Sequence, residues 1–234
     1  HVHASGSAAP PKYGNILVMA TQGKLNVTDY SSEMADEKAT PGYFSMNYRD
    51  YDIDAELTVS PRVGFHKYTF NKSGPSNIIF DLGSFLKWTV EWPSNQEFVG
   101  SEVQILSDTE LQGYTRIRKG WGYGEAYTVY FYAEFDTPAE SVGTWKSTEV
   151  HPGSYLEPDT SEPVGGYFTF NTINGQEIKL KVGISFVSTG KAKLNIKNEI
   201  NHWDFEEIRE QAKEEWNKKL SSVIIETDSR DKMV

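Results

Sequence analysis

Apolar side chains recur at every second position through most of this chain and switch to a helical spacing only near its C-terminal end. In residues 176–187, Ile178, Leu180, Val182, Ile184 and Phe186 fall on one side, and Lys179, Lys181 and Ser185 on the other. That is the pattern of a strand with one dry and one wet face. Residues 126–135 differ: Tyr127, Val129, Phe131, Ala133 and Phe135 oppose Thr128, Tyr130 and Tyr132, which predicts a central strand covered on both sides. Further strands are predicted at 15–19, 55–60, 64–70, 78–82, 103–106, 111–118 and 166–173. Pro61-Arg62 reads as a turn between two of them, and Asn174-Gly175 as a hairpin turn joining 166–173 to 176–187. Many short strands with one helical segment predict an all-β, antiparallel β-sandwich over residues 1–200, because one helix cannot supply the crossovers of a parallel sheet.

The helical segment spans 204–223, within a C-terminal unit taken as 201–234. Phe205, Ile208, Ala212, Trp216, Leu220 and Val223 share one face at about 100° per residue, and Asp204 with Glu207 has the spacing of a capping box. So complete an apolar stripe needs something to cover it. It either folds back on its own sheet or acts as a linker helix into a further domain.

Composition narrows the function. The 234 residues carry a net charge of -10, which disfavours a nucleic-acid partner and favours neutral ligands. The absence of cysteine excludes disulfides and thiolate chemistry, and no apolar run reaches the roughly 18 residues a membrane span requires. The chain opens His1-Val2-His3 without an initiator Met, consistent with a processing boundary, so a missing signal sequence is uninformative about compartment.

Few constellations point to chemistry. Asp50, Asp52 and Asp54 alternate as in the first half of a calcium loop, but no glycine or glutamate completes it, and a solvated strand edge accounts for them better. Glu56, Glu91, Glu125, Glu134 and Asp136 are available carboxylates, yet no spacing selects an acid–base pair for glycoside hydrolysis. Trp121, set in Gly120-Trp-Gly-Tyr-Gly124, either offers its indole to the C–H face of a sugar or plugs one end of the sandwich. Trp88 and Trp92 invite the same two readings. His1 and His3 could contact a metal or a sugar hydroxyl from an extended segment, whereas His66 reads as a partly buried strand residue.

Several stretches, taken in order, resemble the N-terminal domain of glycoside hydrolase family 92, the bacterial exo-acting α-mannosidases. They are His3-Ala-Ser-Gly6, Tyr13-Gly-Asn-Ile-Leu-Val18, Ala39-Thr-Pro-Gly-Tyr-Phe44, Ala55-Glu-Leu-Thr58, Pro61-Arg-Val-Gly-Phe-His-Lys-Tyr-Thr-Phe70, Gly120-Trp121, and 205–220 with its Trp216-Asn217. The resemblance implies a supersandwich-like β-domain joined by the linker helix to a large helical (α/α)6 barrel. It further implies calcium at the junction and inverting cleavage of mannose by two barrel carboxylates, in a secreted, periplasmic or cell-surface bacterial enzyme. The general acid, the general base and most calcium ligands would then lie in the barrel, outside this chain. His3, Ser5 and Trp121 match the family positions best placed to lend loop contacts to a mannose-containing glycan. Two departures stand out: the family has further strands before the segment matching His1 to Gly6, and its small-residue pattern after Ser-Gly is here Ser7-Ala-Ala9. An inactive, self-associating fragment is the expectation. The alternative is a stand-alone carbohydrate-binding or scaffold sandwich.

Overall fold

The computed structural model describes residues 2–3, 13–86, 95–120 and 124–222. In chain order the strands are β1 (Val2–His3), β2 (Tyr13–Asn15), β3 (Leu17–Gln22), β4 (Met34–Thr40), β5 (Tyr43–Tyr48), β6 (Ile53–Val59), β7 (Val63–Phe70) and β8 (Gly74–Asp81). They continue as β9 (Glu97–Ile105), β10 (Glu110–Arg118), β11 (Tyr127–Phe135), β12 (Ser141–Lys146), β13 (Glu149–Pro152), β14 (Leu156–Thr160), β15 (Val164–Thr172) and β16 (Gln176–Ser185). Helices α1 (Thr189–Glu199) and α2 (Phe205–Leu220) follow.

Two antiparallel sheets form the sandwich. One has nine strands in the order β14-β9-β10-β11-β16-β7-β6-β5-β4, the other five in the order β13-β12-β15-β8-β3, while β1 and β2 make a separate pair. Alternation puts Val103, Leu111, Phe131, Phe135, Leu180 and Val182 of the large sheet against Ile78, Phe80, Phe168 and Phe170 of the small one. The rings interlock: Phe80 stacks on Phe131 at 5.9 Å, and Phe135 meets Phe168 at 4.8 Å between centroids. Each such side chain contributes about 1.5–3 kcal/mol by leaving water.

A third layer covers the outer face of the large sheet. There Val63, Phe65 and Tyr132 pack against Ala192, Ile196 and Ile200 from α1 and its exit, and against Phe205 and Ile208 of α2. The predicted central strand β11 is therefore covered on both sides. Its neighbour β16 is covered as well, which corrects the expectation of a wet face: Lys181 is only 2% exposed, its ammonium 3.2 Å from Glu134 and 3.7 Å from the centre of the Trp203 ring. Burial lowers its pKa against the pull of Glu134.

Three further expectations change. Asn174-Gly175 does not close a hairpin, because β15 pairs with β8 and β12 in the small sheet while β16 pairs with β11 and β7 in the large one. The turn is real, with Gln176 N donating to Ile173 O at 3.0 Å and Gly175 at φ 80°. It arches from sheet to sheet because both strands turn apolar faces to the same core from opposite sides. The described residues also include two helices where the pattern predicted one. α1 begins on Ser188, whose side chain accepts from Lys191 N, and it buries only Ala192, Asn195 and Ile196.

The stripe of α2 divides. Phe205, Ile208 and Ala212 are buried on this chain's own sheet, while Trp216 and Leu220 are 47% and 56% exposed and Val223 lies outside the described residues. Asp204 caps the helix as expected, accepting from Glu207 N at 3.0 Å.

Candidate functional site

One end of the sandwich is assembled from three backbone segments around Gln96. At β2 the chain takes left-handed conformations at Tyr13 (φ 70°), Gly14 (φ 78°) and Ile16 (φ 62°). Strain of this kind persists where the surroundings over-determine it, and it concentrates at functional sites. The surroundings here are specific. Gln96 Oε1 accepts from Tyr13 N at 2.8 Å and from the Tyr127 hydroxyl at 2.6 Å, and its Nε2 donates at 2.7 Å to the carbonyls of both Tyr13 and Leu86. Gly14 is needed for close approach, since a Cβ there would sit 2.2 Å from the Leu86 side chain. Tyr13 also meets Tyr127 edge-on at 5.1 Å and Phe186 at 6.1 Å. Burial raises the Tyr127 pKa to about 12, so its hydroxyl stays protonated as a donor.

The next residue, Glu97, holds the adjoining loop. Its carboxylate takes Arg118 Nε at 2.6 Å and Lys119 Nζ, and the bonds from Lys119 and then Arg118 lower its pKa. Lys119 (φ 62°) and Gly120 (φ 81°) then turn the chain, and Lys119 N donates to Gly124 O at 3.3 Å across the loop base.

The sequence-predicted substrate residues relate to this rim as follows. His3 lies on β1, whose backbone pairs with Tyr13 of β2, so its strand is docked on the segment that Gln96 holds. Trp121 belongs to the loop whose base Glu97 holds, and Trp121 itself lies outside the described residues. Ser5, His1, Trp88, Glu91 and Trp92 also lie outside them. Gln96 and Tyr127 were missed by sequence reasoning. No motif marks them, and with the nearby strand predicted only from 103 no local signal singled out Gln96, because β9 in fact begins at Glu97.

Three of the carboxylates considered for catalysis have structural partners. Glu56 binds Lys67 at 2.7 Å and accepts from the Tyr43 hydroxyl at 2.8 Å; Glu134 holds Lys181; Asp136 accepts from Lys179 N at 2.9 Å. Glu125 is exposed. Asp54 accepts from the side chains of Asn47 (2.8 Å) and Asn71 (2.9 Å), and Asp50 from Glu33 N (2.9 Å). Both are solvated as expected, but not on a strand edge: Asp50 and Asp52 lie in the turn between β5 and β6, and Asp54 lies on β6, which is paired on both sides. Among the described residues no three His, Asp or Glu side chains converge as metal ligands, so none is assigned to calcium. His66 is buried, its Nδ1 2.7 Å from the Tyr68 hydroxyl.

The two-sheet sandwich backed by helices matches the fold of the N-terminal β-sandwich of a class of glycoside hydrolases. The family model for the glycosyl hydrolase family 92 N-terminal domain matches residues 1–185, and that for the family's catalytic domain matches residues 191–234. The chain belongs to glycoside hydrolase family 92. A relative described as an uncharacterized secreted glycosidase, from Arthroderma benhamiae, is 24% identical over 253 residues, covering 97% of this chain and 32% of the relative. Among solved structures, the family GH92 alpha-mannosidase BT3965 from Bacteroides thetaiotaomicron, in complex with mannoimidazole, superposes with a TM-score of 0.84 at 24% identity, covering 97% of this chain and 30% of that one. The family GH92 inverting mannosidase BT2199 from the same organism gives a TM-score of 0.76 at 21% identity, covering 93% and 28%. The chain thus spans about a third of the length of these relatives.

Proposed function

We propose that this chain is the non-catalytic N-terminal β-sandwich of a calcium-dependent, exo-acting, inverting α-mannosidase that removes α-linked mannose from glycans. The observation that carries this reading is the succession of the two family matches, with the N-terminal domain running through β16 and the catalytic domain beginning inside α1. Both structural neighbours are mannosidases, one of them inverting, and the mannoimidazole complex of the other supports a mannose-containing substrate. The secreted relative supports an exported enzyme.

In this reading the helical barrel that continues from α2 holds the general acid, the general base and the calcium ligands. The sandwich contributes position. Its rim presents the segments bearing His3, Ser5 and Trp121 to the sugar, where an indole can meet the C–H face of a pyranose and hydroxyl or imidazole groups can meet its oxygens. Partnering of Glu56 with Lys67, Glu134 with Lys181 and Asp136 with the Lys179 amide supports placing the acid–base pair elsewhere.

The test compares this chain with the full-length enzyme on 4-nitrophenyl α-mannoside in the presence of calcium. The expected outcome is turnover by the full-length enzyme and none by residues 1–234 alone. Turnover by the short chain would overturn the non-catalytic assignment, and an inactive full-length protein would overturn the mannosidase reading.

A further inference from the structure

We infer that His151 and Glu157 form a pH-sensitive latch, which fastens the edge strand β14 across one open side of the sandwich and releases it as the medium turns alkaline. The inference is independent of the catalytic reading. β13 ends the five-stranded sheet and β14 ends the nine-stranded one, so residues 153–155 carry the chain from one layer to the other. Glu157 sits at that crossing. It is the one carboxylate buried among the described residues, with 8% of its side chain exposed, and burying a charge is costly unless it is paired and hydrogen-bonded. Its Oε1 accepts from the Thr144 hydroxyl of β12 at 2.7 Å and from Nδ1 of His151 on β13 at 2.5 Å. The cluster therefore ties the edge of one sheet to the edge of the other.

Backbone pairing alone holds β14 weakly, because the strand is five residues long and its ladder with β9 is interrupted between Glu157 and Thr160. Two side-chain ties supplement the ladder. At the far end Arg116 bonds both carboxylate oxygens of Asp159, at 2.5 and 2.6 Å, and a guanidinium keeps its charge at every pH the fold meets. At the near end the cation is an imidazole, whose charge changes close to neutrality. The bond to Glu157 raises the His151 pKa above 6.5 against the opposing effect of burial, and Glu149, 3.7 Å from Nε2, adds a smaller pull. Other groups at this edge are already settled: Lys146 bonds Glu162 at 3.1 Å, and burial raises the Tyr167 pKa, so its hydroxyl stays neutral. A pKa raised by folding gives stability that is complete below about pH 6.5 and is lost as pH rises through the folded value. The neutral ring still donates from Nδ1, but the buried carboxylate has lost its counter-charge. β14 then opens from residues 153–157 while Arg116 retains Asp159, which leaves part of β9 as the sheet edge.

Two backbone bonds report the opening: Gly153 N donates to Val142 O and Ile105 N to Tyr155 O, both at 2.9 Å. Amide hydrogen exchange of the 234-residue chain, followed from about pH 6 to about pH 9 and corrected for the intrinsic rate at each pH, reads their protection. The expected result is a several-fold fall at both amides, about tenfold for each unit by which folding raises the His151 pKa. His151→Gln and Glu157→Gln should each abolish the fall, and Glu149→Gln, at an exposed position, should keep most of it. Wild-type protection that is flat or rises with pH overturns the latch, and this measurement decides even if Glu157→Gln fails to fold. A fall that survives in His151→Gln belongs to other groups and overturns it as well. If Glu149→Gln removes the fall as completely as Glu157→Gln does, the exposed pair carries the effect and the buried latch is overturned.

Discussion

His66 shows how one buried group can carry a pH dependence for the whole domain. It lies on the core-facing side of β7 beside Tyr68, and burial lowers its pKa from 6.5 to about 3. The folded state therefore binds fewer protons than the unfolded chain over that interval. Stability from the neutral imidazole is complete above about pH 6.5 and is lost progressively as pH falls toward 3. Between pH 7 and pH 4.5 the expected loss is about 2–3 kcal/mol, read by urea denaturation, and His66→Gln should flatten the slope. An unchanged slope in that variant would assign the acid sensitivity to other groups. The neighbouring Lys181 teaches a related lesson about legibility. Alternation placed it correctly on the opposite face from Leu180 and Val182, but alternation is silent on whether that face meets water or another layer. Gln96 was less legible still: its importance comes from contacts 83 and 31 residues away in sequence, and no local pattern encodes them.

At the scale of elements, strands with strong apolar alternation were readable because their residues pack by parity. β7, β10, β11 and β16 fall within two residues of the expected positions at either end. What could not be read was the partition of strands between sheets. Asn174-Gly175 specifies a tight turn, and a tight turn serves an arch as well as a hairpin; long-range pairing with β8 and β11 decided the matter. α1 escaped notice because its buried stripe is narrow. Gly183 makes room for it, since a Cβ at that position would meet Ala192 O at 2.4 Å. α2 was legible in full as a helix, yet the stripe alone overstated the need for an outside partner. Its two halves predict unequal consequences. Ile208→Ala should cost about 3 kcal/mol, because Ile208 is 2% exposed among Phe65 and Phe205. Trp216→Ala should cost less than about 1 kcal/mol in this chain, since 47% of the residue faces solvent. Chemical denaturation of both variants checks the order, and equal losses would mean that the distal half is held as firmly as the first.

For the molecule as a whole, the distal half of α2 and the β6–β7 turn leave a cleft of about 790 Å³ that includes Val59, Pro61, Ile208 and Trp216. Leu220 adds a further exposed side chain beyond it. In the proposed enzyme this surface lies where the chain passes into the barrel, so residues 1–234 on their own expose it. Self-association is the expected result, and its strength can be bounded. Val59, Trp216 and Leu220, each about half-exposed, offer a few kcal/mol at about 25 cal/mol per Å², against an association cost of at least about 4 kcal/mol, so dimers should form only weakly. The net charge of -10 opposes contact between copies, and screening weakens that repulsion once the Debye length falls to about 3 Å at 1 M salt. Sedimentation of residues 1–234 should therefore show monomers at micromolar concentration in dilute buffer and a rising average mass in concentrated protein with added NaCl. Trp216→Lys with Leu220→Lys should abolish the rise, because both substitutions place charge on the exposed face without touching Phe205 or Ile208. A mass that stays monomeric under every condition would mean that these three side chains are too few to hold a second copy. In the proposed enzyme, the contact between sandwich and barrel would then have to come mainly from surfaces other than the end of α2.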